Sequence, residues 1–357
     1  ERIRSRNRSA CGRWPSGLQG TPDHGGSRGE TRVSPRIVII GPGSAVARYA
    51  MYVRLEGADP VGVSPEGPTS CPAMSVFRSP ELMLDRLRPD GAVVLTDPPS
   101  RAKYIEAALE AGCHVLCAEP IVYDPGVSVF ECLDTATRLR DLSQQRQLHL
   151  CAMSPMVALA PALRELADLG LGPARGVWSF VMRDLRPPCA GTPSPASRLL
   201  AGGSGPLALL LALVPGARVI EHGIQASLEP QECRIAFDCY SSDAASDGTP
   251  HQCAVSIVLG QATTAQTEVE VNGLRMRYEE RWAPDGTRPG YLSVDEHEAP
   301  CGDLTQLTVR AFLSRIEGQE AGPIPDADHA LASLRVLLRL LRQGSGSAVA
   351  PMTLRVL

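Results

Sequence analysis

Five consecutive residues, Arg36-Ile37-Val38-Ile39-Ile40, run directly into Gly41-Pro42-Gly43 and then into a stretch with helical spacing. This junction constrains the fold more than any other feature of the chain. A short run dominated by β-branched residues suits a strand covered on both faces, as in a parallel sheet. Glycines just beyond such a strand let the backbone turn tightly and approach a pyrophosphate, and the next helix offers N–H donors and positive potential at its N-terminus. Gly41, Gly43, Ser44 and Ala45 are therefore candidate dinucleotide contacts. Val46 stands where the fingerprint has its third glycine, so the match is incomplete.

The segments that follow keep the same alternation. Pro60-Val61-Gly62-Val63 reads as a second strand, Glu81 to Leu87 as a helix with Leu84 and Leu87 on one side, and Ala92-Val93-Val94-Leu95 as a third strand. After Thr96-Asp97-Pro98-Pro99, residues Ala102, Ile105, Ala108 and Leu109 recur at helical spacing. Gly112 ends that helix, and Cys113-His114-Val115-Leu116-Cys117 is the next strand. Strands alternating with helices in this way give an α/β fold, a doubly wound parallel sheet of Rossmann type with right-handed crossovers. A carboxylate for the ribose is expected about 20 residues past the glycines. The second strand instead ends in Ser64-Pro65-Glu66. Glu66 comes a little late and reads more simply as a loop residue, while Ser64 also tolerates a 2′-phosphate, so NAD and NADP both stay open.

With 357 residues, the chain fits two domains. The expected division is a disordered tail at 1–34, a dinucleotide-binding domain at 35–150, an α+β substrate and oligomerisation domain at 151–342, and a tail at 343–357 packing back. Arg2, Arg4, Arg6, Arg8 and Arg13 precede a Gly/Ser/Pro/Arg mixture without hydrophobic periodicity, hence the reading of disorder. A net charge of -4 gives no electrostatic case for nucleic acid or an anionic membrane. No apolar run approaches the roughly 20 residues of a membrane span. The 11 cysteines are scattered without a CxxC pair, which favours a reducing cytoplasm over a disulfide framework. No metal-ligand spacing is present.

The second half carries the pattern of a large, mainly antiparallel sheet. Val177, Ser179 and Val181 alternate with Trp178, Phe180 and Met182; Cys233, Ile235, Phe237 and Cys239 form another series, and Cys253, Val255, Ile257 and Leu259 a third. Val269 to Met276 reads as a hairpin on an Asn272-Gly273 turn. Leu274, Met276, Tyr278 and Trp282 are expected on one face, with Arg275, Arg277, Glu279 and Arg281 on the other. Two helices close the chain, striped by Leu304, Leu307, Ala311 and Phe312, and by Leu331, Leu334, Leu337, Leu338 and Leu341. His114 and His149 are expected in the core.

Val94-Leu95-Thr96-Asp97-Pro98-Pro99 and the block Ala107 to Pro120, with its Ala118-Glu119-Pro120 ending, closely resemble the glucose-fructose oxidoreductase and inositol dehydrogenase (Gfo/Idh/MocA) family. The resemblance covers nearly everything after Pro35. It implies an NAD(P)-dependent oxidoreductase that pairs, as dimer or tetramer, through the C-terminal sheet, with a cofactor lying over Thr96, Asp97 and Pro98. Arg101 takes the place of a common histidine and is a candidate for a phosphate, the alternative being a surface arginine that solvates the helix. The family's strand ends in Glu-Lys-Pro, with the lysine near nicotinamide and substrate; Glu119 holds that position here. A later family helix, Gly-Gly-Gly-x-x-x-Asp-x-x-x-His, corresponds to Gly202-Gly203-Ser204-Gly205 and onward, with Ala208 at the aspartate position and Ala212 at the histidine position.

A positioned acid or base contributes roughly 10²–10⁴ in rate, so replacing all of these groups argues against alcohol oxidation by the family mechanism. Glu119 beside a nicotinamide is a base or a pyridinium partner, or else a solvent-facing strand end; it is counted with both the catalytic and the cofactor-binding candidates. Tyr123 is the nearest neutral acid in sequence, and His222 follows the altered helix. Arg183, Asp184 and Arg186 lead toward the family's substrate cleft, although a solvated turn is the simpler explanation. Lys103, the sole lysine, is expected to face solvent. Three functions remain: a divergent reductase of an imine, enone or ketone in secondary metabolism; a non-redox cyclase, isomerase or lyase on the same fold; and an inactive binding subunit.

Overall fold

Ile37, Val38, Ile39 and Ile40 are each 0% exposed, as a strand sandwiched between two helical layers must be. The computed structural model describes residues 34–64, 76–77, 79–171, 176–187, 194–214, 216–220, 223–229, 231–244 and 250–344. The Arg-rich segment before Ser34, Glu66, His222 and the last residues of the chain lie outside them.

Strand β1 (Arg36–Ile40) leads into α1 (Gly43–Leu55) and β2 (Asp59–Val63). Then come β3 (Val76–Phe77), α2 (Pro80–Leu87), β4 (Gly91–Val94), α3 (Pro98–Glu110), β5 (His114–Ala118), α4 (Val129–Gln145) and β6 (Leu150–Met153). The order is β3-β2-β1-β4-β5-β6, and every pairing is parallel. Because successive side chains point to opposite faces, β1 feeds two cores. Val38 and Ile40 join Val94, Ile105, Leu109 and Leu139 on one face, while Ile37 and Ile39 join Val46, Tyr52 and Val53 on the other. Local chemistry sets the helix starts: Ser79 caps α2 ahead of Pro80, and Ser128 with Glu131 forms a capping box on α4.

A turn of 3₁₀ helix (Pro155–Leu159) and α5 (Ala160–Leu171) lead to the second sheet. Its strands are β7 (Ser179–Arg186), β8 (Arg218–Val219), β9 (Gln225–Leu228), β10 (Glu232–Ala244), β11 (Pro250–Gln261), β12 (Gln266–Val271), β13 (Leu274–Glu280), β14 (Gly290–Val294) and β15 (His297–Gly302). Their order is β15-β14-β13-β12-β7-β11-β10-β8, with β9 beside β10, and only the β7–β11 pairing is parallel among them. The expected hairpin is present. Asn272 and Gly273 both have positive φ, 54° and 86°, which gives the twist a two-residue turn needs. The Asn272 side-chain oxygen also accepts from Trp178 N and Ser179 N, pinning the hairpin to the start of β7.

Three expectations need correction. Trp282 lies past the end of β13 and is 69% exposed beneath the Arg288 guanidinium, so it does not share the buried face of Met276 and Tyr278. His114 and His149 are not core: they stack at 4.9 Å at the amino ends of β5 and β6, where His149 N donates to His114 Nδ1. A segment of membrane-spanning length and apolarity does exist, Pro195–Leu213, but it is divided between α6 (Pro195–Gly202) and α7 (Ser204–Leu213), and most of it is buried against the second sheet and α9 (Ala327–Gly344).

Gly203, at the break, is fixed by packing. A Cβ there would lie 2.6 Å from the Leu199 carbonyl oxygen and 3.1 Å from Leu337 Cδ1 of α9. Gly203→Ala should therefore cost about 1–3 kcal/mol, as overpacked sites do, read as a lower urea midpoint at unchanged slope.

The two closing helices, α8 (Leu304–Ile316) and α9, return to the first sheet. Val309 and Phe312 pack against Ile37 and Ile39, while Leu331, Leu334 and Leu338 pack against the opposite face. At the start of α8, Asp303 accepts from Thr305 N and Gln306 N through one oxygen, and from Tyr52 Oη and Arg288 N through the other.

Candidate functional site

The strand order reverses between β1 and β4, and ligands of such sheets sit beyond the carboxyl ends at that point. Here the two flanking loops touch. Gly41 N–H donates to Val63 O at 3.1 Å and Leu95 N–H to Ile40 O at 2.7 Å, while a Cβ on Gly41 would come within 2.9 Å of Leu95 Cβ. Only glycine keeps this approach.

Pro42, at the N-cap of α1, makes no side-chain cap, and no acidic residue occupies the first turn. The helical ladder begins at Val46 N, which donates to Pro42 O. The N–H groups of Gly43, Ser44 and Ala45 precede it and are the donors that an anion would satisfy. Val46, in the third-glycine position, is buried against the β1 core and packs helix on sheet. Ser64 is buried at the end of β2. These residues fit a dinucleotide.

The loop after β4 is held from within. Arg101, 4% exposed, donates to Thr96 O from Nε at 3.1 Å and Nη2 at 2.7 Å, and from Nη1 to Pro120 O. Its guanidinium thus joins the loop after β4 to the loop after β5 and is taken up by backbone carbonyls rather than offered to a phosphate. Thr96 is 6% exposed, and its hydroxyl is buried without a partner. Asp97 is exposed at the N-cap of α3 and makes no side-chain cap bond, with Pro98 next to it at the helix start.

Glu119 directly follows β5, before a cis bond to Pro120. Part of the residue remains open to solvent, yet burial of the carboxyl pushes its pKa up to about 7, against opposing pulls from Ser154 and then Arg101. Ser154 is 2% exposed at the end of β6, and its hydroxyl has no hydrogen-bond partner. Ser154 has no signal in the sequence beyond the Ser154-Pro155 step that ends a strand. Tyr123 is brought elsewhere. It packs partly buried against the core of β5 and α4, with its pKa raised by burial.

In α7, Ala208 is buried and Ala212 partly so, and the Ala212 carbonyl accepts from Arg164. The helix packs on the Pro155–Leu159 turn. Asp184 is buried and accepts from Thr267 Oγ1 at 2.8 Å, with Arg186 paired to it at 3.0 Å. A cleft of about 410 Å³ is lined by Arg186, Tyr278, Arg281, Trp282 and Arg288, and it includes none of the strand-end residues above. Lys103 is exposed and pairs with Glu81.

Comparison with known proteins agrees with this geometry. The model of the oxidoreductase family with an NAD-binding Rossmann fold matches residues 35–146. No curated protein matches the chain. Among solved structures, a UDP-N-acetylglucosamine 3-dehydrogenase from Acidithiobacillus ferrooxidans superposes with a TM-score of 0.63 at 15% identity, over 87% of this chain and 97% of that one. An oxidoreductase from Thermotoga maritima gives 0.62 at 16% identity, over 87% and 97%. A mutant 3-ketoreductase from Actinomadura kijaniata, in complex with TDP-benzene and NADP, gives 0.60 at 20% identity, over 87% and 98%. At these identities the structures establish the shared two-domain fold. Residues 35–146 match the model of the Gfo/Idh/MocA oxidoreductase family, which is built on an NAD-binding Rossmann fold.

Proposed function

We propose that the chain is a nicotinamide-dependent reductase of a small ketone, enone or imine, in which Glu119 supplies the proton. The observation that carries this reading is the desolvated Glu119 carboxyl at the end of β5, with a pKa of about 7. A group poised near neutral pH is matched to general acid catalysis. When bound, the cofactor supplies hydride. The residues of the chain do the rest: Gly41 lets the loop after β4 close against the turn that carries the phosphate-facing donors, the N–H groups of Gly43, Ser44 and Ala45 meet the pyrophosphate charge, and Arg101 fixes the two loops that flank Glu119. As the substrate's oxygen or nitrogen gains electron density, the Glu119 O–H bond breaks and the proton passes to that atom. The carboxylate then regains a proton from solvent.

Two of the structural relatives are named as a 3-dehydrogenase of a nucleotide sugar and a 3-ketoreductase, which supports a carbonyl carbon as the reacting centre. The secondary-metabolite class rests on the altered catalytic positions. A non-redox reading draws on α7, where Ala208 and Ala212 stand and residues 204–213 bear no ionisable side chain. The outer face of the second sheet, with Arg183, Glu268 and Arg277 side by side in register, supports pairing of two copies by charge complementarity. Eight cysteines, all buried thiols among the described residues, support a cytoplasmic setting.

The test is a fluorescence titration with NADH and NADPH, followed by turnover with a panel of ketones and imines. One cofactor should bind and be consumed. Binding without consumption would support the non-redox reading, and no binding of either would end the proposal. Ser44→Glu, which places a carboxylate among the phosphate-facing N–H groups, should weaken cofactor binding roughly tenfold at low salt, equivalent to about 1.4 kcal/mol, and less at high salt.

A further inference from the structure

Three adjacent strand ends carry polar side chains in one row. Val94 lies beside Cys117 across β4 and β5, and Ala118 beside Met153 across β5 and β6. Continuing both registers past the strands brings Thr96, Glu119 and Ser154 into line. Among the described residues, four buried side-chain polar atoms lack a hydrogen-bond partner, and two of them are the Thr96 and Ser154 hydroxyls, which follow the two strands that flank β5. Leaving a buried hydroxyl unpaired is costly, and native structures keep such a group where it has a task.

We propose that Ser154 is a positioning residue for Glu119: its hydroxyl waits without a partner beside the protonated carboxyl and donates to the carboxylate once the proton has left. The idea rests on the reading of Glu119 as the acid, because only a group that changes charge during turnover needs a donor held in reserve. A donor already in place needs no reorganisation when the charge forms. The surroundings leave this role to Ser154. Arg101, from α3, is close enough to act through its charge, but its N–H groups are taken by Thr96 O and Pro120 O. Cys117, on β5, is a buried thiol whose own pKa is pushed up to about 12, so it stays neutral. The Pro155–Leu159 turn and α7 bring no charged side chain. The Ser154 hydroxyl lies close enough to Glu119 to lower its pKa against the effect of burial, yet it makes no aligned hydrogen bond there.

The experiment follows the Glu119 carboxyl by ¹³C NMR in the full-length chain labelled at glutamate, the resonance being assigned as the one missing in Glu119→Gln. Ser154→Ala should raise its midpoint by roughly one pH unit, a tenfold change in proton affinity. Ser154→Thr, which restores a hydroxyl, should bring the midpoint back. Should the alanine variant fail to fold, Ser154→Cys, with a weaker donor, should give an intermediate rise. Equal midpoints in wild type and the hydroxyl-free variant would overturn the proposal. The wild-type midpoint itself tests something different: a value near the ordinary 4.5 would remove the acid role of Glu119, whereas the difference between variants tests Ser154 alone.

Discussion

Glu119→Gln is expected to lower reductive turnover by about 10²–10⁴-fold, the contribution of a positioned general acid, while NADH or NADPH titration stays close to wild type. The amide keeps the size of the side chain but has no proton to give. Two pH effects accompany the loss. Wild-type turnover should decline as pH rises through about 7, because the active acid is the protonated form, and the glutamine variant should lack that limb. Stability should follow the same group. Its folded pKa lies above the ordinary 4.5, so the fold favours the neutral form. That contribution is complete below about 4.5 and is lost as pH climbs through about 7. Urea midpoints at pH 5 and pH 8 should therefore separate for wild type and draw together in the variant. A variant with full turnover would remove Glu119 from the chemistry.

The largest stability loss is expected for Asp303→Ala. Its carboxylate takes hydrogen bonds from Tyr52 Oη at 2.7 Å, Arg288 N at 2.7 Å, Thr305 N at 2.9 Å and Gln306 N at 3.1 Å. Alanine removes the cap of α8 and leaves the Tyr52 hydroxyl and the Arg288 amide without their acceptor. Cap loss typically costs about 1 kcal/mol and each buried orphan about 1–3 kcal/mol, so a total of about 3–7 kcal/mol is expected from chemical denaturation. Asp303→Asn should fall between, since it keeps one oxygen for the cap. A loss under about 1 kcal/mol would show that water replaces the carboxylate at little cost.

The parallel sheet was legible because its signals are local and mutually consistent. The β-branched run at Ile37–Ile40, the glycines after it and the strand–helix alternation each require the same layer order. The Asn272-Gly273 hairpin was equally readable, since its backbone demands those residue types. Long-range events were less so. Arg101 resembled a surface arginine at the head of a helix, and only the approach of Pro120 from a different strand turns it inward. Ser154 carries no motif; its position depends on the register of β6 against β5. Trp282 followed the strand's alternation by count, but β13 ends before it and the pattern no longer applies. Glu119 was found by sequence, whereas its desolvation comes from neighbours that the sequence does not place beside it.

The return of α8 and α9 to the first sheet has a consequence for how the protein is made. Ile37 and Ile39 leave the ribosome nearly three hundred residues before Phe312 and Leu334, which cover the two faces of their sheet. The first sheet cannot seal its apolar surface during translation and must wait, exposed to chaperones or to misassociation, until α9 is released.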